Sequence, residues 1–221
     1  MDFDGIIFDF DGVLLESEYE GNRNLAELLT EIGHPTSVEQ ALKSYTGLSG
    51  RDFIAAIESN IGRTLPDEFY DKRGEEDERV LRQGLPAIGG AVEFVLSLPA
   101  GLPTAVASSS TKQWVRTHLG HLDLDAFFGD RIFSGREDVE RGKPAPDLYL
   151  HTASHLGIDI ARTVVIEDSE VGAKGALVSG ARVIGLIAGA HCLPGHDEML
   201  REVGVQEIAN NFDEVRRLLA L

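Results

Sequence analysis

The sequence predicts an α/β protein in which a parallel sheet carries helices on both faces and a helical domain is inserted into the chain. Five short apolar segments have the length of buried strands, and helical segments alternate with them. A long charged segment without a strand pattern follows the first strand. Strands that alternate with helices pair in parallel, because each crossover passes over a face of the sheet. The length of 221 residues suits one core domain with a smaller inserted domain.

The first predicted strand is the apolar segment 5–10, which stops at acidic residues and Gly12. A short apolar run with such an end is typical of a buried strand that leads into a functional loop. The other strands are predicted at residues 103–107, 131–133, 163–166 and 182–187, and the helices between the five strands at 90–98, 111–119, 146–156 and 171–179.

The segment after the first strand differs because it has helical periodicity, many charges and little strand pattern. Helices are predicted at residues 24–32, 51–61 and 67–82. Gly84 and Pro86 punctuate the chain where this segment ends. The pattern therefore predicts an inserted helical domain at residues 16–83 and a core domain made of residues 1–15 and 84–221.

The charge and the cysteine content restrict the classes of partner. The net charge is −17, from 37 acidic and 20 basic residues, so repulsion makes a nucleic-acid partner unexpected. Cys192 is the only cysteine, which excludes an intrachain disulfide and fits a reducing compartment. No segment approaches the ~20 apolar residues that span a bilayer, and the N-terminus is acidic where a secretory signal is basic. A cytoplasmic protein without a membrane partner is expected.

Reactive side chains gather where the predicted parallel strands end, which is the edge at which such sheets bind ligands. They are carboxylates, a hydroxyl and one lysine: Asp9, Asp11, Ser108, Lys143, Glu167 and Asp168. Three clustered carboxylates cannot all stay ionised without a compensating cation, and a site of oxygen ligands favours Mg²⁺ over Zn²⁺. Such a site can accept a phosphoryl group, whose remaining oxygens the lysine and the hydroxyl would hold.

Covalent catalysis fits this set of residues. Asp9 would attack phosphorus and form an aspartyl-phosphate. Asp11, two residues later, would protonate the leaving alkoxide and then take a proton from the water that cleaves the intermediate.

Four motifs, taken in order, resemble those of the haloacid dehalogenase superfamily, in particular its β-phosphoglucomutase-like phosphatases. They are the segment 9–13 (DFDGV), Ser108, the segment 143–147 (KPAPD) and the segment 167–169 (EDS). The resemblance implies a Rossmann-like core with a helical cap inserted after the first motif, and Mg²⁺-dependent hydrolysis of a small phosphate ester. Superfamily dehalogenases lack the second acid of the first motif and phosphonatases replace it, so Asp11 favours phosphate esters.

The resemblance also implies a role for each residue. Asp9 would be the nucleophile and a Mg²⁺ ligand, and Asp11 the acid/base, with its backbone carbonyl also on Mg²⁺. Asp168 would bind Mg²⁺ directly, and Glu167 would bind it directly or through another group. Lys143 would steady the phosphoryl oxygens and Asp9.

The substrate-binding residues implied by the resemblance lie in two places. Ser108 would bind the transferring phosphoryl group, with help from the backbone amide of Ser109. In the cap, the segment 46–51 resembles the substrate-specificity loop of the subgroup. Gly47 and Arg51 would there contact the distal part of a sugar or polyol phosphate.

Two other functions stay open. A sugar-phosphate mutase of the subgroup carries a cap histidine at a position that corresponds here to Gly21, so its absence counts against that activity. A non-catalytic binding protein on the same fold is disfavoured because the catalytic set is intact. A monomer is expected, because the cap must move to admit substrate.

Some residues have simpler structural interpretations. The serines 108–110 could cap the following helix, in addition to binding phosphate. Trp114 is expected to pack within its helix. His191 and His196 flank Cys192 in a loop rich in Gly and Pro, and no zinc site is expected there.

Overall fold

The computed structural model describes residues 2–46, 48 and 50–221. The chain forms two compact units. One consists of the chain up to Glu16 together with Pro86–Leu221, and the other is Ser17–Leu85. Among the described residues, no helix combines the length and the apolar character needed to cross a bilayer.

The first unit is built on a parallel sheet in the order β3-β2-β1-β4-β5-β6. Every neighbouring pair in this sheet is parallel, which confirms the predicted α/β class. The strands are β1 (Gly5–Phe8), β2 (Thr104–Ser108), β3 (Ile132–Ser134), β4 (Thr163–Glu167), β5 (Arg182–Leu186) and β6 (Glu207–Ala209).

The last strand was not predicted. β6 has three residues and begins with Glu207, so it shows neither an apolar run nor an alternating pattern. Its pairing with β5, in which Ile184 lies beside Glu207, places it at the sheet edge. Tertiary pairing rather than local pattern therefore determines this strand.

Eleven α-helices are present in the described part of the chain, the first four of them in the second unit. They are α1 (Ser17–Glu31), α2 (Val38–Tyr45), α3 (Gly50–Ile61), α4 (Asp67–Gln83), α5 (Ala91–Leu96), α6 (Lys112–His121), α7 (Asp125–Phe128), α8 (Asp147–Leu156), α9 (Glu170–Ser179), α10 (His196–Glu202) and α11 (Phe212–Leu219). The sequence did not predict α2, α7, α10 or α11. Each of these has at most eight residues, which is too short for a clear helical period.

Both faces of the sheet are covered, as the alternation of side chains in β1 shows. Ile7 belongs to a core cluster with Leu148 of α8 and Ala173 of α9. Phe8 points the other way, where its ring meets those of Phe94 in α5 and Phe128 in α7 at about 6 Å. The strands are buried on both faces, so a continuous apolar run such as GIIF is the expected sequence pattern.

The second unit has its own apolar core. Residues from α1, α2, α3 and α4 meet there: Leu25, Leu29, Ala41, Tyr45, Ile57 and Phe69. Ser37 begins α2 with a capping box, since its side chain accepts from the Gln40 amide while the Gln40 side chain accepts from the Ser37 amide.

Candidate active site

The central strands bring the predicted residues to one edge of the sheet. β1 lies between β2 and β4, with Phe8 beside Val106 on one side and Ile166 on the other. The positions one or two residues further along each of these strands therefore lie at the same edge of the sheet. These positions hold Asp9, Ser108 and Glu167.

Lys143 joins two carboxylates at this edge. Its Nζ donates to Asp9 Oδ1 at 2.6 Å and to Glu167 Oε1 at 2.7 Å, and the lysine side chain is only 3% exposed. Burial alone would lower the pKa of Lys143, but Asp9 and Glu167 raise it well above the usual value. The lysine is therefore a buried cation held between two anions.

Both carboxylate oxygens of Glu167 accept several hydrogen bonds. Its Oε1 also accepts from the Tyr149 hydroxyl at 2.9 Å, while Oε2 accepts from the backbone amides of Asp168 and Ser169 and from the Ser169 hydroxyl. Burial favours the neutral acid, but Lys143 and these donors keep its pKa below the usual value. Gly172 makes this packing possible, because a Cβ there would lie 1.6 Å from Glu167 Oε1.

Asp168 has one satisfied and one unsatisfied oxygen. Oδ2 lies 2.8 Å from His191 Nε2, whereas the buried Oδ1 has no hydrogen-bond partner among the described residues. Burial, together with Glu167, raises the pKa of Asp9 well above its usual value, and burial raises that of Asp168. Lys143 beside Asp9 and His191 beside Asp168 lower these two pKa values, but they do not fully offset the effect of burial.

A metal ion fits this cluster. Asp9, Glu167 and Asp168 each offer a carboxylate oxygen, and these oxygens lie within 4.8 Å of one another. A buried acceptor without a partner is costly, and a cation bound there would satisfy it. All candidate ligands are oxygens, which is the donor set of Mg²⁺ rather than of a softer metal.

The Asp11 carboxylate contacts residues at and after the end of β2, whereas the Asp9 carboxylate contacts Lys143. Asp11 Oδ2 accepts from the Ser110 hydroxyl at 2.7 Å and from the Ser108 hydroxyl at 3.3 Å, and its Oδ1 accepts from Trp114 Nε1 at 3.0 Å. Trp114 packs within its helix as expected, with its ring centroid 4.1 Å from that of His118, and its hydrogen bond to Asp11 is an additional contact. A half-buried indole N–H needs an acceptor, but the sequence could not show which one.

The cap of α6 also differs from the expectation. Thr111, not one of the three preceding serines, is the N-cap residue, and its side chain accepts from the Trp114 amide. Ser108 is buried at the end of β2, and its hydroxyl accepts from the Ser110 amide. Ser109 lies exposed between them.

The predicted cap residues lie in the second unit. Arg51 is exposed in the first turn of α3. Gly47 lies outside the described residues.

Sequence reasoning missed two histidines that contact the carboxylate cluster. His191 Nε2 lies 2.8 Å from Asp168 Oδ2, and His196 Nε2 lies 2.6 Å from the Asp168 carbonyl oxygen. Burial disfavours the charged ring of His191, but hydrogen bonds, first of all to Asp168, raise its pKa to about 12. His191 lies in the segment that follows β5 and His196 begins the next helix, and residues after a parallel strand lie at the edge where such sheets bind ligands.

Gly12 allows the loop after β1 to lie close to the Asp168 carboxylate. It adopts φ +84°, and a Cβ on it would lie 2.1 Å from Asp168 Oδ2. The left-handed backbone and the contact both favour glycine. The DFDG sequence therefore has a steric reason for its last residue.

Several known proteins resemble this chain in sequence and in architecture. The 6-phosphogluconate phosphatase of Escherichia coli (strain K12) is 28% identical over 192 residues, which are 86% of each chain. The phosphorylated carbohydrates phosphatase of Thermotoga maritima is 30% identical over 225 residues, which cover 96% of this chain and 99% of the relative. A haloacid dehalogenase family hydrolase of Deinococcus radiodurans R1, solved with bound phosphate and sodium, is 32% identical with a TM-score of 0.89, covering 99% of this chain and 96% of that one.

The family model described as haloacid dehalogenase-like hydrolase matches residues 6–186. This segment contains the four motifs, the strands β2–β5, all of β1 except Gly5, and the carboxylate cluster with Lys143. The chain belongs to the haloacid dehalogenase-like hydrolase family.

Proposed function

We propose that this protein is a Mg²⁺-dependent phosphatase that hydrolyses a small phosphorylated metabolite, a sugar or polyol phosphate, through an aspartyl-phosphate on Asp9. The observation that carries the proposal is the buried Asp9 carboxylate, which Lys143 holds in a cluster with Asp168, one of whose oxygens has no partner among the described residues. The E. coli and T. maritima relatives, whose names specify phosphogluconate and phosphorylated carbohydrates, support this substrate class.

In the first step Asp9 is the nucleophile. Lys143 binds its Oδ1, which orients the carboxylate and leaves Oδ2 to attack phosphorus. The bond from phosphorus to the leaving alkoxide breaks as the bond to Asp9 forms, and Asp11 donates the proton that the alkoxide needs. Asp11 then accepts a proton from the water that hydrolyses the aspartyl-phosphate, which returns Asp9 to its carboxylate form.

The neighbouring residues hold the phosphoryl group and the cation. Asp9, Asp168 and the backbone carbonyl of Asp11 would hold Mg²⁺, which when bound supplies the positive charge that lets an anionic nucleophile approach an anionic phosphate. Glu167 acts mainly through Lys143, since hydrogen bonds already occupy both of its oxygens. Ser108, with the Ser109 amide, would bind the phosphoryl oxygens together with Lys143.

The helical unit Ser17–Leu85 would serve as the cap that selects the rest of the substrate. Gly47 and Arg51 are the proposed contacts to the sugar or polyol part. An arginine suits this role because its guanidinium donates several hydrogen bonds to hydroxyl or carboxylate oxygens.

The reaction type is tested by following hexose 1-phosphates, hexitol phosphates and 6-phosphogluconate with ³¹P NMR in the presence of Mg²⁺. We expect inorganic phosphate as the product from at least one of these esters, and no product after chelation of the metal. Accumulation of a hexose 6-phosphate from the 1-phosphate would instead identify a mutase. Absence of turnover with every ester would contradict the proposed substrate class.

Metal binding is tested by thermal unfolding, independently of activity. Saturation of one site at 100 times Kd stabilises the folded protein by about 2.7 kcal/mol, or roughly 5–10 °C for a chain of this size. We expect such a shift with Mg²⁺, and we expect Asp168→Asn to abolish most of it. Asp138→Asn is the control, because Asp138 pairs with Lys112 outside the carboxylate cluster and should leave the shift intact.

The stabilisation by Mg²⁺ should increase as the pH rises. The pKa values of Asp9 and Asp168 are raised in the folded state above 3.8, so the metal-free folded protein binds protons that the unfolded chain has already released. The contribution of these two groups to stability therefore falls as the pH rises from 3.8 through their folded-state pKa values, and Mg²⁺ must displace these protons to bind. The Mg²⁺-induced shift should be larger near about pH 8 than near about pH 5. An equal shift at both values would contradict the raised pKa values.

A further inference from the structure

A second group of metal-ligating side chains lies beside the carboxylate cluster, in the segment between β5 and α10. It consists of His191, Cys192 and His196, whose ligand atoms all lie within 4.8 Å of one another. Cys192 Sγ is 3.3 Å from His191 Nε2, and the two imidazole rings are 5.6 Å apart and nearly perpendicular. The proposed phosphatase mechanism uses none of these three side chains.

The donor atoms differ in kind from those of the carboxylate cluster. Two imidazole nitrogens and one sulfur are the ligands of Zn²⁺ and similar borderline-soft cations, whereas Mg²⁺ prefers oxygen. Ligand atoms around a tetrahedral Zn²⁺ lie roughly 3.3–3.8 Å apart, so the Cys192–His191 distance already fits and only a modest contraction is needed elsewhere.

Asp168 is placed to supply a fourth ligand. Its Oδ2 is 2.8 Å from His191 Nε2, the ring nitrogen that the cysteine sulfur also contacts, while its Oδ1 belongs to the proposed Mg²⁺ site. The carboxylate therefore lies between the two groups. His191 is only 5% exposed, whereas Cys192 and His196 are half-buried. A cation could therefore reach the group from solvent at Cys192 and His196.

We propose that His191, Cys192 and His196, completed by Asp168, form a binding site for a borderline-soft divalent cation such as Zn²⁺. Binding replaces the protons on the sulfur and on the ring nitrogens with the metal, so protons are released into solution. Asp168 would use Oδ2 here and Oδ1 in the proposed Mg²⁺ site, so the two cations do not compete for one oxygen. The proposal goes beyond the phosphatase reaction, which needs Mg²⁺ alone.

Co²⁺ is the probe that tests this site, because a Co²⁺–thiolate bond gives a charge-transfer band in the near ultraviolet. The chain has a single cysteine, so any such band must come from Cys192. We expect a saturable band at one Co²⁺ per chain in the metal-free wild-type protein, lost on addition of Zn²⁺ and retained in excess Mg²⁺. No substrate is present, so the result is independent of whether the protein is a phosphatase.

Three variants complete the experiment. Cys192→Ser should lose the band, His196→Gln should weaken Co²⁺ binding by at least about tenfold, and Asp9→Asn should retain both band and affinity because it alters only the carboxylate cluster. The melting temperature of each metal-free variant checks that it is folded. Absence of a saturable band in the wild type, displacement by Mg²⁺, or unchanged Co²⁺ affinity in His196→Gln would overturn the proposal.

Discussion

Replacement of Asp9 with Asn should lower kcat by on the order of 10⁴-fold or more, because the amide cannot form the aspartyl-phosphate. The metal-free fold should be at least as stable as the wild type. Asp9 is buried next to Glu167 and Asp168, and its raised pKa means that the folded protein disfavours its charge. Lys143 would keep Glu167 as its partner after the substitution. Loss of activity without loss of stability is therefore the expected combination.

The measurement pairs initial rates of phosphate release with thermal unfolding in a chelator. Asp4→Asn is the matched control, since Asp4 lies just before the same strand but its side chain is 38% exposed and paired with Arg162. Asp4→Asn should keep wild-type rates. The nucleophile assignment fails if Asp9→Asn retains near-normal Mg²⁺-dependent turnover.

Replacement of Lys143 with Met should abolish activity and also destabilise the fold, which distinguishes it from the Asp9 variant. Methionine fills a similar volume but leaves the buried carboxylates of Asp9 and Glu167 without their shared cation. Breaking a buried ion pair by removing one partner typically costs about 3–5 kcal/mol. Denaturant unfolding without metal measures this loss, and steady-state kinetics measure the loss of phosphoryl binding.

A double variant separates the two effects of Lys143. Asp9→Asn added to Lys143→Met removes one uncompensated charge, so we expect part of the stability to return while activity stays absent. Lys174→Met is the control, because Lys174 forms an exposed pair with Glu170 and should change stability little. If Lys143→Met were as stable as the wild type, the lysine would not neutralise the buried carboxylates.

The sequence predicted the parallel sheet and the edge at which the candidate site lies. Buried parallel strands are continuous apolar runs, and β1, β2, β4 and β5 all carry one. Reactive residues after such strands must meet, because the carboxyl ends of parallel strands lie together. The structure brings Asp9, Glu167, Asp168 and Lys143 together there, and the roles assigned to them remain predictions.

Short or weakly patterned elements could not be predicted from the sequence. The strand β6 and the helix α2 have too few residues to show a period, and their positions depend on the pairing with β5 and on the apolar core of the second unit. Local preference is weak at this length, and tertiary contacts decide the outcome.

The individual contacts of the site were decided only by the tertiary structure. Strand order determines that Asp11, Trp114, Asp168 and His191 reach one edge, but the hydrogen bond from Trp114 to Asp11 joins residues 103 positions apart, and that between His191 and Asp168 joins residues 23 apart. No spacing rule links such pairs, because side-chain direction depends on the packing of loops and helices around them. The sequence by itself determined which side chains lie at the sheet edge, and the packing determined which group contacts each carboxylate.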